Sequence, residues 1–297
     1  MKTFLKSIGL LLAAGFLMTA CEKPDVDDTA ENAEVIANGV AVKFNISQFE
    51  QTPFNDGQDI TRATSISSLC SRIQLAVFNG DSKTKAINQT KGDAGFGTFS
   101  LILPKGTYQV VIIAHNGSGV ATLTSPDKIT FKENKVTDTF YYYAEIEVSE
   151  DEQYDVRMKR AVAKFRMETE DNVPATIAQM KFYYTGGSST FNAVTGYGCV
   201  DSRETELRTV SSDMIGQPGV FEIYTFPHSE EDYLKITITA MGAGESILQE
   251  RVFEDVPVRR NTVTTWKGQF FDTSSETGEV TFVLLTDDEW QQIEYSY

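Results

Sequence analysis

Short apolar runs with a period of two residues are the feature that most constrains the fold of this chain. In residues 40–46, Val, Phe and Ile alternate with Ala, Lys and Asn, which is the pattern of a half-buried β-strand. Similar runs end at turn-forming sequences at residues 79–81, 104–106 and 116–117. The sequence lacks long stretches with the 3.6-residue period of an amphipathic helix. The pattern therefore predicts an all-β protein built as a sandwich, not alternating helices and strands.

A second series of alternating runs begins near Arg160 and continues to the end of the chain. Because an acidic run precedes it, we place a domain boundary near residues 155–159. This gives an N-terminal β-sandwich over residues 39–157 and a C-terminal β-sandwich over residues 158–297, each of a size usual for such domains. Short helices are predicted only at residues 65–71 and 175–179.

The first 21 residues have the pattern of a lipoprotein signal peptide. Lys2 and Lys6 precede an apolar segment, and two small residues, Thr19 and Ala20, lead directly into Cys21. We expect residues 1–20 to be the signal peptide, with cleavage between Ala20 and Cys21 and lipidation of Cys21. A spanning helix is disfavoured because it needs about 20 apolar residues. A plain secretory signal that happens to be followed by a cysteine is the alternative.

Residues 21–38 are predicted to be an acidic flexible tether. Acidic residues follow one another there with Lys23 as the one cation, and few apolar groups are available to pack. The whole chain carries a formal charge of −16. Such acidity disfavours binding to the phosphate backbone of nucleic acids and to anionic lipid headgroups. We therefore expect any membrane attachment to be through lipid.

The remaining cysteines, Cys70 and Cys199, fall in different predicted domains. A disulfide between them is chemically permitted in an oxidising compartment. Two separate buried thiols are the favoured interpretation, because free cysteine behaves as a small apolar residue. The sequence has no CxxC pair and no Cys/His cluster with the spacing of a zinc site.

The sequence offers no recognisable catalytic motif. His115 and His228 each lie at the end of a predicted strand, where a solvated or locally hydrogen-bonded side chain is expected. The acidic triplets at residues 150–152 and 287–289 lack the arrangement of a calcium loop. We expect no enzyme activity, no metal, no cofactor and no small-molecule substrate. A glycosidase-like pair of carboxylates with no recognisable spacing stays open as a third and weaker hypothesis.

The aromatic run at residues 140–143 has two interpretations. Tyrosines on an exposed face, Tyr142 among them, would form a platform for sugars and make the chain a surface glycan-binding lipoprotein. Because side chains of a strand alternate between faces, at most two of the four can share one face. Core packing is the favoured interpretation for the others.

Several motifs together resemble the FimB-type anchor subunits of the type V fimbriae of Bacteroidales. In chain order they are the lipobox ending in Cys21, Thr-Arg-Ala at 61–63, Val-Phe at 77–78, Leu-Pro-Lys-Gly-Thr-Tyr at 103–108, Ala-His-Asn at 114–116, Arg-Ala-Val-Ala-Lys-Phe at 160–165, Tyr-Thr-Gly-Gly at 184–187, and the segment 261–268. The resemblance spans nearly the whole chain after the signal peptide. It rests on the order of the motifs, since each is a common turn or core pattern.

The resemblance implies two tandem transthyretin-like β-sandwich domains without enzymatic activity. It also implies an outer-membrane lipoprotein that anchors a fimbria (pilus) and acts in its assembly, with fimbrial shaft or accessory subunits as partners docked by β-strand pairing. In shaft subunits of the wider superfamily, cleavage after an arginine frees a strand-receiving groove, and Arg62 stands at a comparable place. The acidic stretch after Cys21 resembles surface-export signals of Bacteroidales lipoproteins, which implies a location facing the cell exterior.

Overall fold

The structure is a computed structural model, and it describes residues 39–50, 65–272, 281–285 and 293–296. Cys21 with its cleavage site, the acidic tether and Arg62 lie outside the described residues, so what the sequence indicates for them stays a prediction. Within the described ranges, none of the helices has the length and apolarity needed to cross a bilayer.

The first half of the described chain is almost entirely strand. Its elements are β1 (Val40–Phe49), α1 (Ile66–Leu69), β2 (Arg72–Asn79), β3 (Ser82–Thr90), β4 (Thr98–Leu103), β5 (Gly106–His115), β6 (Thr122–Ser125), β7 (Lys128–Thr130), a 3₁₀ turn (Lys132–Asn134), β8 (Thr139–Val148) and β9 (Glu152–Arg160). The helix α1 lies within the span 65–71 predicted to be helical.

The second half continues in the same way. Its elements are β10 (Ala163–Asn172), β11 (Gln179–Thr185), β12 (Phe191–Asn192), β13 (Tyr197–Gly198), β14 (Arg203–Thr209), β15 (Pro218–Thr225), β16 (Asp232–Met241), a 3₁₀ turn (Ala243–Glu245), β17 (Ile247–Val258), β18 (Val263–Gly268), β19 (Thr281–Leu285) and β20 (Ile293–Ser296). The helix predicted at 175–179 is instead a turn, in which the Ile177 N–H donates to the Pro174 carbonyl at 3.1 Å before β11 begins.

Two stacked layers form lobe 1, which we define as residues 39–160. Strands β3-β2-β5-β8 make one layer and β9-β1-β4 the other, in that order. Alternate residues of both layers point inward, so that Phe44 of β1 and Phe140 of β8 are fully buried in one apolar core. Burial of each such side chain contributes roughly 1.5–3 kcal/mol. The predicted all-β sandwich is confirmed.

Lobe 2, residues 163–296, repeats this topology. Its layers are β14-β11-β16-β17 and β15-β10-β18-β19-β20, with a second apolar core between them. The first strand of each lobe pairs in parallel with a later strand, β1 with β9 and β10 with β18. Seven strands of each lobe occupy equivalent positions. In chain order, β1, β2, β3, β4, β5, β8 and β9 of lobe 1 correspond to β10, β11, β14, β15, β16, β17 and β18 of lobe 2. Lobe 2 differs in carrying β19 and β20 beyond β18.

The two lobes share a third core. Strands β6 and β7 from the first half join β12 and β13 from the second in one small sheet, through the pair Ile129↔Phe191. Beneath this sheet, apolar residues from both lobes form a continuous buried cluster. We call this region the junction.

The sequence-based boundary between residues 157 and 158 falls inside β9. Met158 is buried in the core of lobe 1, and the chain passes from lobe 1 to lobe 2 at Ala161 and Val162, which are buried in the junction. The acidic run that precedes the predicted boundary therefore includes the beginning of a strand. The division of the chain into two domains stays a prediction.

Candidate functional site

Strands β8 and β9 of lobe 1 are separated along most of their length. A short loop, residues 149–151, joins them, yet their only backbone pairs in the described part of the chain are Phe140↔Arg160 and Tyr141↔Lys159, at the far end. The other edge of β8 pairs with β5, and the other edge of β9 pairs with β1. We call the opening between residues 142–148 and 152–158 the seam.

The seam is lined by side chains that are half-buried against the core of lobe 1. They are Tyr142 and Ala144 from β8 and Tyr154 from β9. The Tyr154 ring stacks on Phe44 with ring centroids 5.1 Å apart and planes 13° apart. Its hydroxyl donates to a carboxylate oxygen of Glu152 at 2.7 Å. The lining is thus aromatic and apolar, and it is only partly covered by the described residues.

Both tyrosine hydroxyls of the seam are uncharged at neutral pH. Burial raises the pKa of Tyr142. Burial, together with the Glu152 carboxylate, raises the pKa of Tyr154 to about 12. Any group that enters the seam therefore meets neutral aromatic rings on its inner side.

The backbone of β9 also faces the seam. The carbonyls of Val156 and Met158 accept hydrogen bonds from β1 and from the residue that follows it, at 3.3 and 2.7 Å. Because successive residues of a strand direct their backbone groups to opposite edges, Gln153, Asp155 and Arg157 direct theirs into the seam. An edge of this kind can pair with another strand.

The equivalent opening in lobe 2 is occupied. Strand β19 pairs antiparallel with β18, with Phe282 opposite Trp266. The Phe282 side chain is 1% exposed, and its ring centroid lies 6.0 Å from that of Phe253 on β17. The chain thus fills in lobe 2 the position that corresponds to the seam of lobe 1.

Strand β1 lies beside the seam, between β4 and β9. Its inward residues Val40, Val42, Phe44 and Ile46 are all buried in the core of lobe 1. Removal of β1 would therefore open a second and much larger apolar slot. Arg62, the predicted processing position, follows β1 in the chain but lies outside the described residues.

The aromatic run at 140–143 does not form an exposed platform. Phe140 and Tyr141 are buried, whereas Tyr142 and Tyr143 are half-buried on opposite faces of β8. Tyr142 packs on the core of lobe 1, and Tyr143 packs on the junction. The interpretation of this run as core packing is confirmed.

His115 is locally hydrogen-bonded, which is one of the two expectations for it, but it is buried and not solvated. It is 1% exposed, and its Nδ1 accepts a hydrogen bond from the Gly117 N–H at 2.9 Å. No described residue makes a hydrogen bond with its Nε2. Burial, aided by the nearby charge of Arg72, lowers the pKa of His115 to about 4. The residue is therefore neutral at physiological pH.

His228 has local partners, as expected for a histidine at a strand end. Its ring nitrogens lie 3.0 Å from an Asp232 carboxylate oxygen and 3.1 Å from the Val200 carbonyl. Partial burial lowers its pKa, but the hydrogen bonds to Val200 and Asp232, together with the charges of Asp232 and Asp201, outweigh burial, so that its pKa lies above the ordinary value.

Cys70 and Cys199 are both free thiols, so the structure contains no disulfide between them. Cys70 is buried as expected, and burial raises its pKa to about 12. Cys199 is exposed, which corrects the prediction that both would be buried.

In the described part of the chain, no three His, Cys, Asp or Glu side chains are grouped as metal ligands would be. Asp151 of the first acidic triplet accepts a hydrogen bond from the Ala41 N–H at 2.8 Å.

Comparisons with known proteins give one family and several similar structures. A family model described as a family of unknown function, DUF6562, matches residues 33–296. The curated proteins contain no significant match.

Three solved structures illustrate the similar folds. A candidate adhesin from Bacteroides ovatus has a TM-score of 0.49 at 12% identity, covering 83% of this chain and 88% of that chain. A candidate polysaccharide-binding protein from Bacteroides thetaiotaomicron has a TM-score of 0.49 at 11% identity, covering 86% and 98%. A fimbrial assembly protein from Parabacteroides distasonis has a TM-score of 0.43 at 12% identity, covering 87% and 98%.

Proposed function

The chain belongs to the family DUF6562, and we propose that it is a surface subunit of a fimbria that receives a β-strand of a partner subunit in the seam of lobe 1. The observation that carries this proposal is the difference between the lobes. The position beside β18 is filled by β19, whereas no described residue fills the corresponding position beside β9.

The seam offers a strand both kinds of contact that recognition by strand addition uses. The backbone groups of Gln153, Asp155 and Arg157 would provide hydrogen bonds and hence affinity. Tyr142 and Tyr154 would contact alternate side chains of the incoming strand and hence give specificity. Side chains that are half-buried in the free subunit would become fully buried on docking.

Strand β19 indicates how the partner strand would lie. It runs antiparallel to β18 and directs Phe282 between the two layers of lobe 2. By analogy, a partner strand in the seam would run antiparallel to β9. Its inward position nearest Tyr154 would carry a large apolar residue.

The attachment of the subunit rests on the sequence and on the resemblance to FimB-type anchors. We propose that lipidated Cys21 holds the chain in the outer membrane, facing the cell exterior, and that the acidic tether separates lobe 1 from the lipid surface. The role is that of an anchor or assembly subunit without enzymatic activity. Arg62 is a proposed processing position on the resemblance to shaft subunits of the wider superfamily. Cleavage there would separate Cys21 and β1 from α1 in the chain, so that the pairing of β1 with β4 and β9 would then hold lobe 1 to the lipid.

Peptide binding followed by hydrogen exchange tests the docking site. The probe is a synthetic peptide with the sequence of residues 279–287, which includes β19, added to the chain that begins at residue 22. We expect exchange to slow at the amides of Gln153, Asp155 and Arg157. If the peptide binds without slowing these amides, or does not bind even at its solubility limit, the seam is not the docking site.

A matched pair of variants sharpens this test. Asp155→Pro removes one seam-facing N–H and blocks the edge with a ring, while Asp155→Asn keeps the N–H and the side-chain shape. We expect Asp155→Pro to weaken peptide binding by about tenfold or more, which corresponds to about 1.4 kcal/mol, and Asp155→Asn to leave it nearly unchanged. Equal affinities for the two variants would contradict strand pairing at β9.

Lipid attachment has a separate test. Cys21→Ala should leave the precursor unprocessed or release the protein from the membrane fraction, because one thioether-linked lipid site is the proposed anchor. A variant that is processed normally and stays fully membrane-bound would contradict the lipobox interpretation.

A glycan-binding role is the second candidate function. Tyr183 and Tyr233 alternate with core residues of β11 and β16, so they project from the outer face of the β14-β11-β16-β17 layer, and they are 39% and 46% exposed. Exposed aromatic rings on a sheet can stack on sugars. A saturable hit on a glycan array that is lost in Tyr183→Ala, with peptide binding unaffected, would favour this role over strand docking.

A further inference from the structure

Strand β1 is held on both sides. It pairs antiparallel with β4 from Val40↔Leu103 to Asn45↔Thr98. It pairs in parallel with β9 from Val42↔Glu152 to Phe49↔Met158, with one register shift after Ile46. The strand that follows the N-terminal segment is therefore a central strand of its layer and not an edge strand.

The chain enters lobe 1 and leaves it at opposite ends of two adjacent strands. The Ala41 N–H donates to an Asp151 carboxylate oxygen at 2.8 Å, so the start of β1 lies beside the start of β9. The Glu50 N–H donates to the Met158 carbonyl at 2.7 Å, so the far ends also lie together. From that far end, β9 continues through Ala161 into lobe 2.

Tension along the chain would load this pair in shear. A pull on the segment before β1, opposed by a pull from lobe 2, acts parallel to the strands. In shear, the hydrogen bonds of β1 to both neighbours carry the load together. In peeling, by contrast, they break one after another. The inward residues Val42, Phe44 and Ile46 must also leave the core at the same step, because they share one rigid strand.

We propose that lobe 1 is a tension-bearing unit in which the parallel β1–β9 pair resists force applied between the N-terminal segment and lobe 2. The property follows from strand direction and from the connection to lobe 2. It goes beyond the proposed function, because it holds whether or not a partner strand enters the seam.

Single-molecule pulling in two geometries tests the proposal. Both proteins are the chain from residue 22 with the first handle at its N-terminus. The second handle is attached through an azide-bearing residue at Arg157 in one protein and at Glu150 in the other, both of which are exposed. The pull at Arg157 shears β1 from β9. The pull at Glu150 peels them apart, because Glu150 lies beside the start of β1.

We expect the rupture force to be several-fold higher for the Arg157 handle than for the Glu150 handle at the same loading rate. The length of chain released on rupture is nearly the same in the two proteins, so the two force curves can be compared directly. Equal urea midpoints for the two labelled proteins would show that the handles do not alter equilibrium stability. Similar rupture forces in the two geometries, whether both high or both low, would overturn the proposal.

Discussion

The ring of Phe191 in lobe 2 packs against the ring of Tyr141 in lobe 1, with centroids 4.9 Å apart and planes 69° apart. The Tyr141 hydroxyl also accepts a hydrogen bond from Arg260 at 2.9 Å. A residue of lobe 1 is thus enclosed by an aromatic ring and a guanidinium of lobe 2. The two lobes are joined by buried side chains and by a shared sheet, beyond the chain link between β9 and β10.

The close approach of Gly196 to Tyr141 predicts that the junction does not tolerate a side chain there. Gly196 has φ +80°, and a Cβ at this position would overlap the Tyr141 hydroxyl. Gly196→Ala therefore combines backbone strain with a steric clash, and we expect it to lower the free energy of unfolding by about 2–4 kcal/mol. Urea denaturation followed by tyrosine and tryptophan fluorescence measures the change.

Gly216→Ala is the matched control for this prediction. Gly216 has φ +75°, but no atom lies within 4 Å of a Cβ built there. Its substitution carries the backbone strain alone, at about 1 kcal/mol. Equal costs for the two substitutions would contradict the proposed contact between Gly196 and Tyr141.

The buried His115 predicts a loss of stability in mild acid. Its pKa is about 4 in the folded state, compared with about 6.5 for an exposed histidine. The unfolded chain therefore binds a proton at a higher pH than the folded chain does. As the pH falls from 6.5 to 4, this group lowers the free energy of unfolding by roughly 3 kcal/mol, and the loss is complete below about pH 4.

Substitution of His115 separates this effect from the titration of the acids. In His115→Asn, the decrease in stability between pH 6.5 and 4 should be smaller than in the unmodified chain. His228→Asn should instead change the profile above pH 6.5 and leave the range from pH 6.5 to 4 nearly unchanged, because the pKa of His228 is raised above its unfolded value. The stability that His228 contributes is present below its unfolded pKa and is lost as pH rises through its folded pKa. Identical pH profiles for His115→Asn and the unmodified chain would contradict the burial argument.

Much of the fold follows from the sequence, because period-two alternation survives wherever one face of a strand is buried. The runs at 40–46 and 140–148 lie within strands, and the run at 161–167 lies in β10 from Ala163 onward, with Ala163, Phe165 and Met167 buried as expected. The start of β9 is not predicted, because its first residues, such as Glu152, are acidic and resemble a boundary between domains. The turn at 175–179 was misassigned because a proline followed by small residues fits a short helix equally well.

The candidate site was largely hidden in the sequence. The seam depends on which strands do not pair, and sequence patterns describe single strands and not their neighbours. Tyr154 and Val156 do alternate with charged residues, so a strand at 154–158 could have been found. The sequence could not predict that β19 fills the position beside β18 while the position beside β9 stays open, because this difference appears only when the two lobes are compared in space. The exposure of Cys199 likewise follows from the path of a loop.

The two described cysteines should differ sharply in reactivity. Cys199 is exposed, although partial burial raises its pKa, whereas Cys70 is 1% exposed and burial raises its pKa to about 12. In the chain from residue 22 at pH 8, one equivalent of maleimide should react at Cys199, and Cys70 should react only on unfolding. Peptide mass spectrometry with and without urea identifies the labelled positions. Fast native labelling of Cys70 would contradict the packing described for lobe 1.

The buried ion pair between Arg160 and Asp138 should be far more sensitive to substitution than a surface pair. Arg160 is 3% exposed, and its guanidinium donates to the two carboxylate oxygens of Asp138 at 2.8 and 3.1 Å. Asp138→Asn keeps the size of the side chain but removes the charge opposite a buried cation, and we expect a loss of about 3 kcal/mol in the free energy of unfolding. Glu254→Gln, which breaks the exposed pair with Lys235, should cost less than about 1 kcal/mol, because solvent screens that pair. Urea denaturation of both variants at pH 7 compares the costs. Similar costs would show that burial does not decide the contribution of the Arg160 pair, since the two substitutions remove the same charge with the same change of chemistry.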